Sequence, residues 1–161
     1  MCVFSVQKDG RGLPPGQGGR DHRYHYARWD GTQWVQQEIA YAGTRLYAGE
    51  DDYTGLAALD PQDLNTLYLS TDAHPTTGAP LISDTDGQRH HEIFRGNTPD
   101  GGATWTWTPI TANSTADNLR PIIPIWNDPR IALVWMRGKY RHNQGPWNTK
   151  VVALIQPRNS A

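Results

Sequence analysis

A repeat constrains this chain more than any other feature. Tyr24-His25-Tyr26-Ala27-Arg28-Trp29, a turn, then Trp34 and an apolar strand, is matched by His91-Glu92-Ile93-Phe94-Arg95, a turn, then Trp105. The matching strands lie about 65 residues apart, too far for a hairpin repeat and suited to a four-stranded blade with generous loops. Seven Trp and seven Tyr stand against two Met, and 16 Gly and 12 Pro punctuate the chain. Aromatic and β-branched residues suit a pleated surface, while Gly and Pro break helices. Sustained helical apolar periodicity is missing, so the expectation is an all-β chain.

Short apolar or alternating runs bounded by turn residues place strands at 2–7, 23–29, 33–40, 54–59, 66–71, 90–95, 104–111, 120–126, 131–137 and 149–155. Asp30-Gly31 is a hairpin signal, and segments 60–65 and 126–130 carry the Asp, Asn and Pro of compact turns. Lettered A to D within each blade, the strands read B, C, D; then A, B, C, D; then A, B, C. A single domain, 1–161, then comprises the end of one blade (1–40), a complete blade (41–111) and an incomplete last blade (112–161). Trp34 and Trp105 are expected in equivalent positions.

The second repeat contains Thr98-Pro99-Asp100-Gly101-Gly102-Ala103-Thr104-Trp105. It resembles the Asp-box, Ser/Thr-x-Asp-x-Gly-x-x-Trp, of sialidases and related BNR-repeat proteins. Asp100 can accept backbone N–H groups across the turn, Gly102 can supply a positive φ, and Trp105 can anchor the turn on the blade. The segment Asp30-Gly31-Thr32-Gln33-Trp34 looks like a shortened copy. Residues 41–140 are similar to bacterial BNR-type proteins. The resemblance implies a partial sialidase-like β-propeller of about two and a half four-stranded antiparallel blades. By the same resemblance, Thr98, Asp100, Gly102 and Trp105 have a structural role.

Several classes of function find no support. The net charge of −1 offers no electrostatic footprint for nucleic acid or an anionic membrane. Cys2 is the sole cysteine, which excludes an internal disulfide and a cysteine-based metal site. His90 and His91, adjacent on a strand, point to opposite faces and do not share a metal. Asp84-Thr85-Asp86-Gly87 begins like a calcium loop but lacks the downstream Glu. Neither a phosphate-cradling loop nor a nucleophile elbow is present, and no metal or cofactor is expected. A membrane-spanning run and a leader are both absent from the sequence. Met1-Cys2-Val3-Phe4-Ser5-Val6 reads like the middle of a strand, so further sequence upstream, including any signal peptide, is expected.

In an up-and-down blade, successive connections alternate between the two faces of the disc. Here one set is short: 60–65, 126–130, Asp30-Gly31 and the Asp-box. The other is long: 8–22, 41–53, 72–89, 112–119 and 138–148. Long loops on a rigid scaffold are where function concentrates. Arg45, Tyr47, Glu50, Asp51, Asp52 and Tyr53 share one loop, which supplies either a general acid or base with a sugar clamp, or a solvated acidic turn. Asp117-Asn118-Leu119-Arg120-Pro121 opens an innermost strand. Arg120 there suits a bidentate grip on a sugar carboxylate, or else an ion pair with Asp51 or Asp52. Arg137 opens another loop on this face, with Tyr140 and with His142 as a base near neutral pH. Lys139 and Arg141 read as an ordinary basic loop. His74 sits either at the mouth of the cleft or simply in a turn before Pro75, and Trp147 could stack on a sugar.

The resemblance implies a carbohydrate-active superfamily containing sialidases and, on similar propellers, polysaccharide lyases. A sialidase-like hydrolase acting on an extracellular or periplasmic glycan would draw on Arg120 and Arg137 for a substrate carboxylate, with Asn118 beside them. Tyr47 or Tyr140 would be the nucleophile and Glu50 the acid. A lyase would use Tyr140 and His142, and a non-catalytic glycan binder would use exposed aromatics such as Trp147. Closing a ring of 4–8 blades would demand upward of about 250 residues. The open arc is therefore expected to expose Ile122, Ile123, Leu133 and Val134, and to need upstream blades or to self-associate.

Overall fold

The computed structural model describes residues 1–10, 12–14, 16–47, 53–140 and 148–158. Ten strands form: β1 (Cys2–Gln7), β2 (His22–Trp29), β3 (Trp34–Gly43), β4 (Ala57–Asp60), β5 (Asp63–Thr71), β6 (Glu92–Asn97), β7 (Thr106–Pro109), β8 (Asn118–Ile122), β9 (Arg130–Lys139) and β10 (Asn148–Pro157). The described residues contain no helix. The protein is all-β, as its composition requires.

Each strand pairs antiparallel with its neighbour in sequence, giving three meanders: β1-β2-β3, β4-β5-β6-β7 and β8-β9-β10. Three strands are shorter than the sequence suggests, and β7 keeps only the middle of its expected span. β4 starts at Ala57 because Leu56 takes a φ of 70°, outside strand geometry. β8 stops at Ile122, where Pro121 and Pro124 bracket a stretch poor in ladder donors.

The middle sheet is covered on both faces, and its sequence shows why. Along β5, Leu67 and Leu69 point one way and Tyr68 the other, the period-two alternation of a strand. Leu67, Leu69 and Phe94 join Tyr24, Tyr26, Ala40 and Ala42 in a core against the first sheet. Tyr68 and Ile93 join Ile123, Ile131, Leu133 and Trp135 in a second core against the third sheet. Residues 66–71 are buried throughout, with the apolar run Leu67-Tyr68-Leu69 flanked by buried Thr66, Ser70 and Thr71. Leu67, Leu69 and Ile93 are wholly buried, so cutting any of them to Ala would cost about 2–5 kcal/mol.

The outer faces of the first and third sheets carry exposed apolar side chains. Val151 is 76% and Ile155 51% exposed, while Val152 and Leu154 turn inward against the second core. This corrects the expectation for the third sheet. Ile123 and Leu133 face the middle sheet and are buried, whereas Ile122 is exposed, as is Ile125 beyond it.

The turn from β6 to β7 is built on Asp100. Its Oδ1 accepts the Thr104 N–H at 2.8 Å and the Thr98 hydroxyl at 2.9 Å, and Oδ2 accepts the Thr104 hydroxyl at 2.7 Å. Thr98 Oγ1 in turn accepts the Gly102 N–H at 2.7 Å. Trp105 Nε1 donates to the Gly102 carbonyl at 3.0 Å, and its ring meets Tyr26 edge-on at 5.4 Å. Gly102 has a φ of 109°, and a Cβ there would lie 2.5 Å from the Tyr26 ring, so geometry and space both demand glycine. The turn thus docks the middle sheet on the first. Asp30 repeats the pattern, accepting the N–H groups of Thr32 and Gln33. Trp34 and Trp105 do follow matching turns, but they differ in burial. Trp34 is 57% exposed and packs edge-on against Trp29, whereas Trp105 is tucked against the first core.

The Thr104 N–H and hydroxyl, with Thr98, outweigh a small burial effect and hold the Asp100 carboxyl at about 2. A depressed carboxylate pKa contributes stability above the unfolded value of roughly 3.9, and that stability is lost as pH falls towards 2. Asp100→Asn should therefore lower the melting temperature at pH 7, with the gap to wild type closing as pH approaches 2. Calorimetric melts across pH check this, and equal melting temperatures at pH 7 would refute it.

Candidate functional site

The long connections gather at one end of the three sheets and are knitted together there. Asp72, at the end of β5, is buried and accepts the Thr44 N–H at 2.8 Å and the Thr44 hydroxyl at 2.5 Å. Arg89 closes on the same carboxylate at 2.9 Å. Arg45 donates from Nη1 to the carbonyls of Gly16 and Gly18, at 3.0 and 2.7 Å. Predicted as a sugar contact, Arg45 thus pins the first connection to the second.

Arg120 is the centre of the most unusual arrangement at this end. The β8–β9 ladder slips between Leu119 and Ile122, and Arg120 sits in the slip with a φ of 55°. Its N–H is diverted to the Gly55 carbonyl at 2.8 Å, which fixes it against the start of the neighbouring sheet. Its guanidinium Nη2 donates to the phenol oxygens of Tyr53 and, at 3.0 Å, Tyr140. The Tyr53 and Tyr140 rings lie nearly parallel, 6.2 Å apart at 11°, with the guanidinium carbon 4.6 Å from the Tyr140 centroid. Tyr47 completes a triangle, 5.8 Å from Tyr53 and 5.7 Å from Tyr140. The Arg120 Nε is buried with no hydrogen-bond partner among the described residues. Among the described residues Arg120 is held by neutral phenols and pairs with no carboxylate, which suits it to an incoming anion.

Beneath Arg120 lies a buried polar node. Glu92 accepts the Ser114 N–H at 2.8 Å, the Ser114 hydroxyl at 2.9 Å and the Asn118 amide at 3.1 Å. Asn118 is fully buried, and its Oδ1 accepts Trp135 Nε1 at 2.9 Å and Arg137 Nη1 at 3.4 Å. This corrects the expectation that Asn118 binds substrate: its amide is committed inside the protein, where it positions its neighbours. Arg137 does reach the surface, and it lines an open cleft of about 540 Å³ with Arg89, His90, Asp117, Lys139 and Lys150.

His74 is also a turn residue rather than a cleft residue. Its Nδ1 accepts the N–H groups of Thr76 and Thr77 at 3.3 Å, and its ring packs edge-on against Phe94. Glu50, His142 and Trp147 lie outside the described residues, as do Asp51, Asp52 and Arg141. Of the residues proposed from sequence, the structure brings together Arg120, Tyr47 and Tyr140. Tyr53 is the site residue the sequence did not single out. Its place on the loop of Tyr47, immediately before an innermost strand, was the available signal. Burial is the largest single influence on the Asp117 carboxyl and raises it, but the His91 side chain and N–H together with the His90 ring outweigh it, and the net direction is down. No cluster of three or more His, Cys, Asp or Glu among the described residues could hold a metal.

Left-handed backbone at a residue with a side chain costs roughly 1–2 kcal/mol, which glycine escapes. Arg120→Gly should therefore be more stable than Arg120→Ala by about 1 kcal/mol, the reverse of the usual order in a strand. Urea melts of the two variants check this, and an alanine variant at least as stable would show that the backbone there is unstrained. Comparison of the chain with protein-family models, with curated proteins and with solved structures gave no match.

Proposed function

We propose that the chain is part of a carbohydrate-active β-propeller whose site takes an acidic glycan, and that its reaction is a sialidase-like hydrolysis. The Arg120–Tyr53–Tyr140 cluster carries this reading. A guanidinium beside two phenol oxygens pairs the group that binds a sugar carboxylate with the group that attacks or deprotonates the sugar. The propeller reading is supported by the way the sheets follow one another. Each is an antiparallel meander stacked face to face on the next, and the strands β1, β4 and β8 that open the three sheets contact one another in order. In a closed ring, further blades or a second copy would cover Val151 and Ile155 on the outer face of the third sheet.

In the hydrolytic reading Arg120 binds the substrate carboxylate and moves off the phenols. One phenol, Tyr53 or Tyr140, gives its proton to a carboxylate, for which Asp51 and Asp52 are the sequence candidates, as its oxygen bonds to the anomeric carbon and the glycosidic C–O bond breaks. An acid, for which Glu50 is the sequence candidate, gives its proton to the leaving oxygen. Water then releases the sugar and returns the phenol. A second reading, a polysaccharide lyase, is favoured by both phenols sharing one guanidinium. One phenol oxygen would remove the proton next to the uronate carboxylate and the other would give a proton to the departing oxygen, leaving a double bond in the product.

Incubation with sialyl-lactose and with polygalacturonate separates these readings. Release of free acidic sugar or new reducing ends without ultraviolet-absorbing product marks the hydrolase, and an unsaturated uronate marks the lyase. Arg120→Ala should weaken binding of the acidic sugar about 100-fold, the scale of a lost charged hydrogen-bond pair. Equal affinity of wild type and Arg120→Ala for the acidic sugar would sink the proposal.

A further inference from the structure

The cleft beside Arg120 has a charge arrangement that the proposed reaction does not use. Arg137 and Lys139 alternate along β9 and so point to the same face, and Lys150 stands directly opposite Arg137 on β10. Like charges opposite one another across a ladder destabilise a sheet. Among the described residues no carboxylate relieves the pair. Arg137 reaches only the Ser114 and Thr115 hydroxyls and the Asn118 amide oxygen, at 3.3–3.4 Å. The carboxylates nearby are already engaged. Asp72 holds Arg89, Asp86 holds His90 at 2.9 Å, and Asp117 lies 3.5 Å from His91 and 3.6 Å from His90. Three cations thus face a cleft of about 540 Å³ on a chain whose net charge is −1. That volume falls within the range of small-molecule sites.

We infer that this cleft is an oxyanion subsite, and that Arg137, Lys139 and Lys150 bind the carboxylate or ester sulfate of a second sugar in the same glycan chain. The inference rests on the proposed glycan reading and extends it: the substrate is a polyanion with acidic groups on neighbouring residues. Continuity of the chain supports the link. Tyr140 follows Lys139 directly, and Arg137 is paired in register with Asn118, two residues before Arg120. A single-stranded nucleic acid is disfavoured, since no Trp, Tyr or Phe among the described residues lines the cleft for base stacking.

Titration calorimetry tests the subsite, with galacturonic acid, trigalacturonic acid, sulfated maltotriose and a single-stranded oligonucleotide as probes. The variant pair is Lys139→Gln/Lys150→Gln against Lys139→Arg/Lys150→Arg; both lysines are exposed and make no ion pair among the described residues, so the fold should survive. For the trisaccharide carrying the favoured anion, the glutamine variant should lower affinity relative to galacturonic acid about tenfold. The arginine variant should retain the wild-type ratio. Whichever of the two trisaccharides shows the loss identifies the anionic group. An unchanged ratio for both, no binding of either, or tighter binding of the oligonucleotide would overturn the subsite. If Arg120→Ala leaves galacturonic acid affinity untouched while the glutamine variant still lowers trisaccharide affinity, the Arg120 reading fails and the cleft stands.

Discussion

The structure hangs on a buried carboxylate that has no cation against it. Glu92 lies on β6 and is satisfied by Ser114 and by Asn118, with no ion pair among the described residues. A buried carboxylate survives only if donors saturate it, because an unpaired charge in the interior is costly. The three bonds it receives come from the β7–β8 connection and the first residue of β8. They therefore clamp the third sheet to the middle one at the loop end. Asn118 extends the clamp by accepting Trp135 Nε1. Breaking such a node leaves charge and amide unmet together.

Both halves of the candidate site are consequences of that clamp. With Asn118 fixed, the ladder slips at Arg120, and the strained backbone aims its guanidinium at Tyr53 and Tyr140. Strain of this kind persists only where the surroundings over-determine it, and here Gly55 and the node supply the restraint. The same Asn118 oxygen steadies Arg137, which faces Lys150 across the ladder. One buried amide therefore serves an arginine on each side of it.

The strands were legible because each depends on nearest neighbours. Alternation, turn residues and aromatic content place all ten, and the Asp100 turn could be read down to the hydrogen-bonding role of its residues. What was not legible depends on partners far apart in sequence. Asn118 looks like any exposed amide before an arginine until Glu92, Ser114 and Trp135 close around it. Arg45 looks like a ligand contact until the carbonyls of Gly16 and Gly18 claim it. Lys139 and Lys150 become notable only once register sets Lys150 opposite Arg137 and Asn148 opposite Lys139. Burial of Ile123 but not Ile122 likewise follows from which face meets the middle sheet, and that needs the packed sheets.

The two ends of the sheets differ in what engages their charged groups, and this argues for where chemistry can occur. At the short turns, Asp30, Asp100 and Asp128 are each held at about 2, by the Gln33 N–H, the Thr104 N–H and the Arg130 guanidinium respectively before any lesser contact. Such carboxylates stay ionised at any physiological pH and have their oxygens occupied, so they neither transfer protons nor grip a ligand. Buried donors without partners among the described residues occur at both ends, Arg158 Nε and Nη2 beside Asp60 among them, but at the long-loop end they stand beside opposed cations. The Arg120 Nε is buried without a partner, and Arg137 and Lys150 confront each other with no carboxylate between them, among the described residues. A fold tolerates unmet donors and opposed cations where something outside the chain completes them. The Arg120 guanidinium and the Arg137–Lys150 pair are donors and cations, so the complement they call for is an anion with several oxygens.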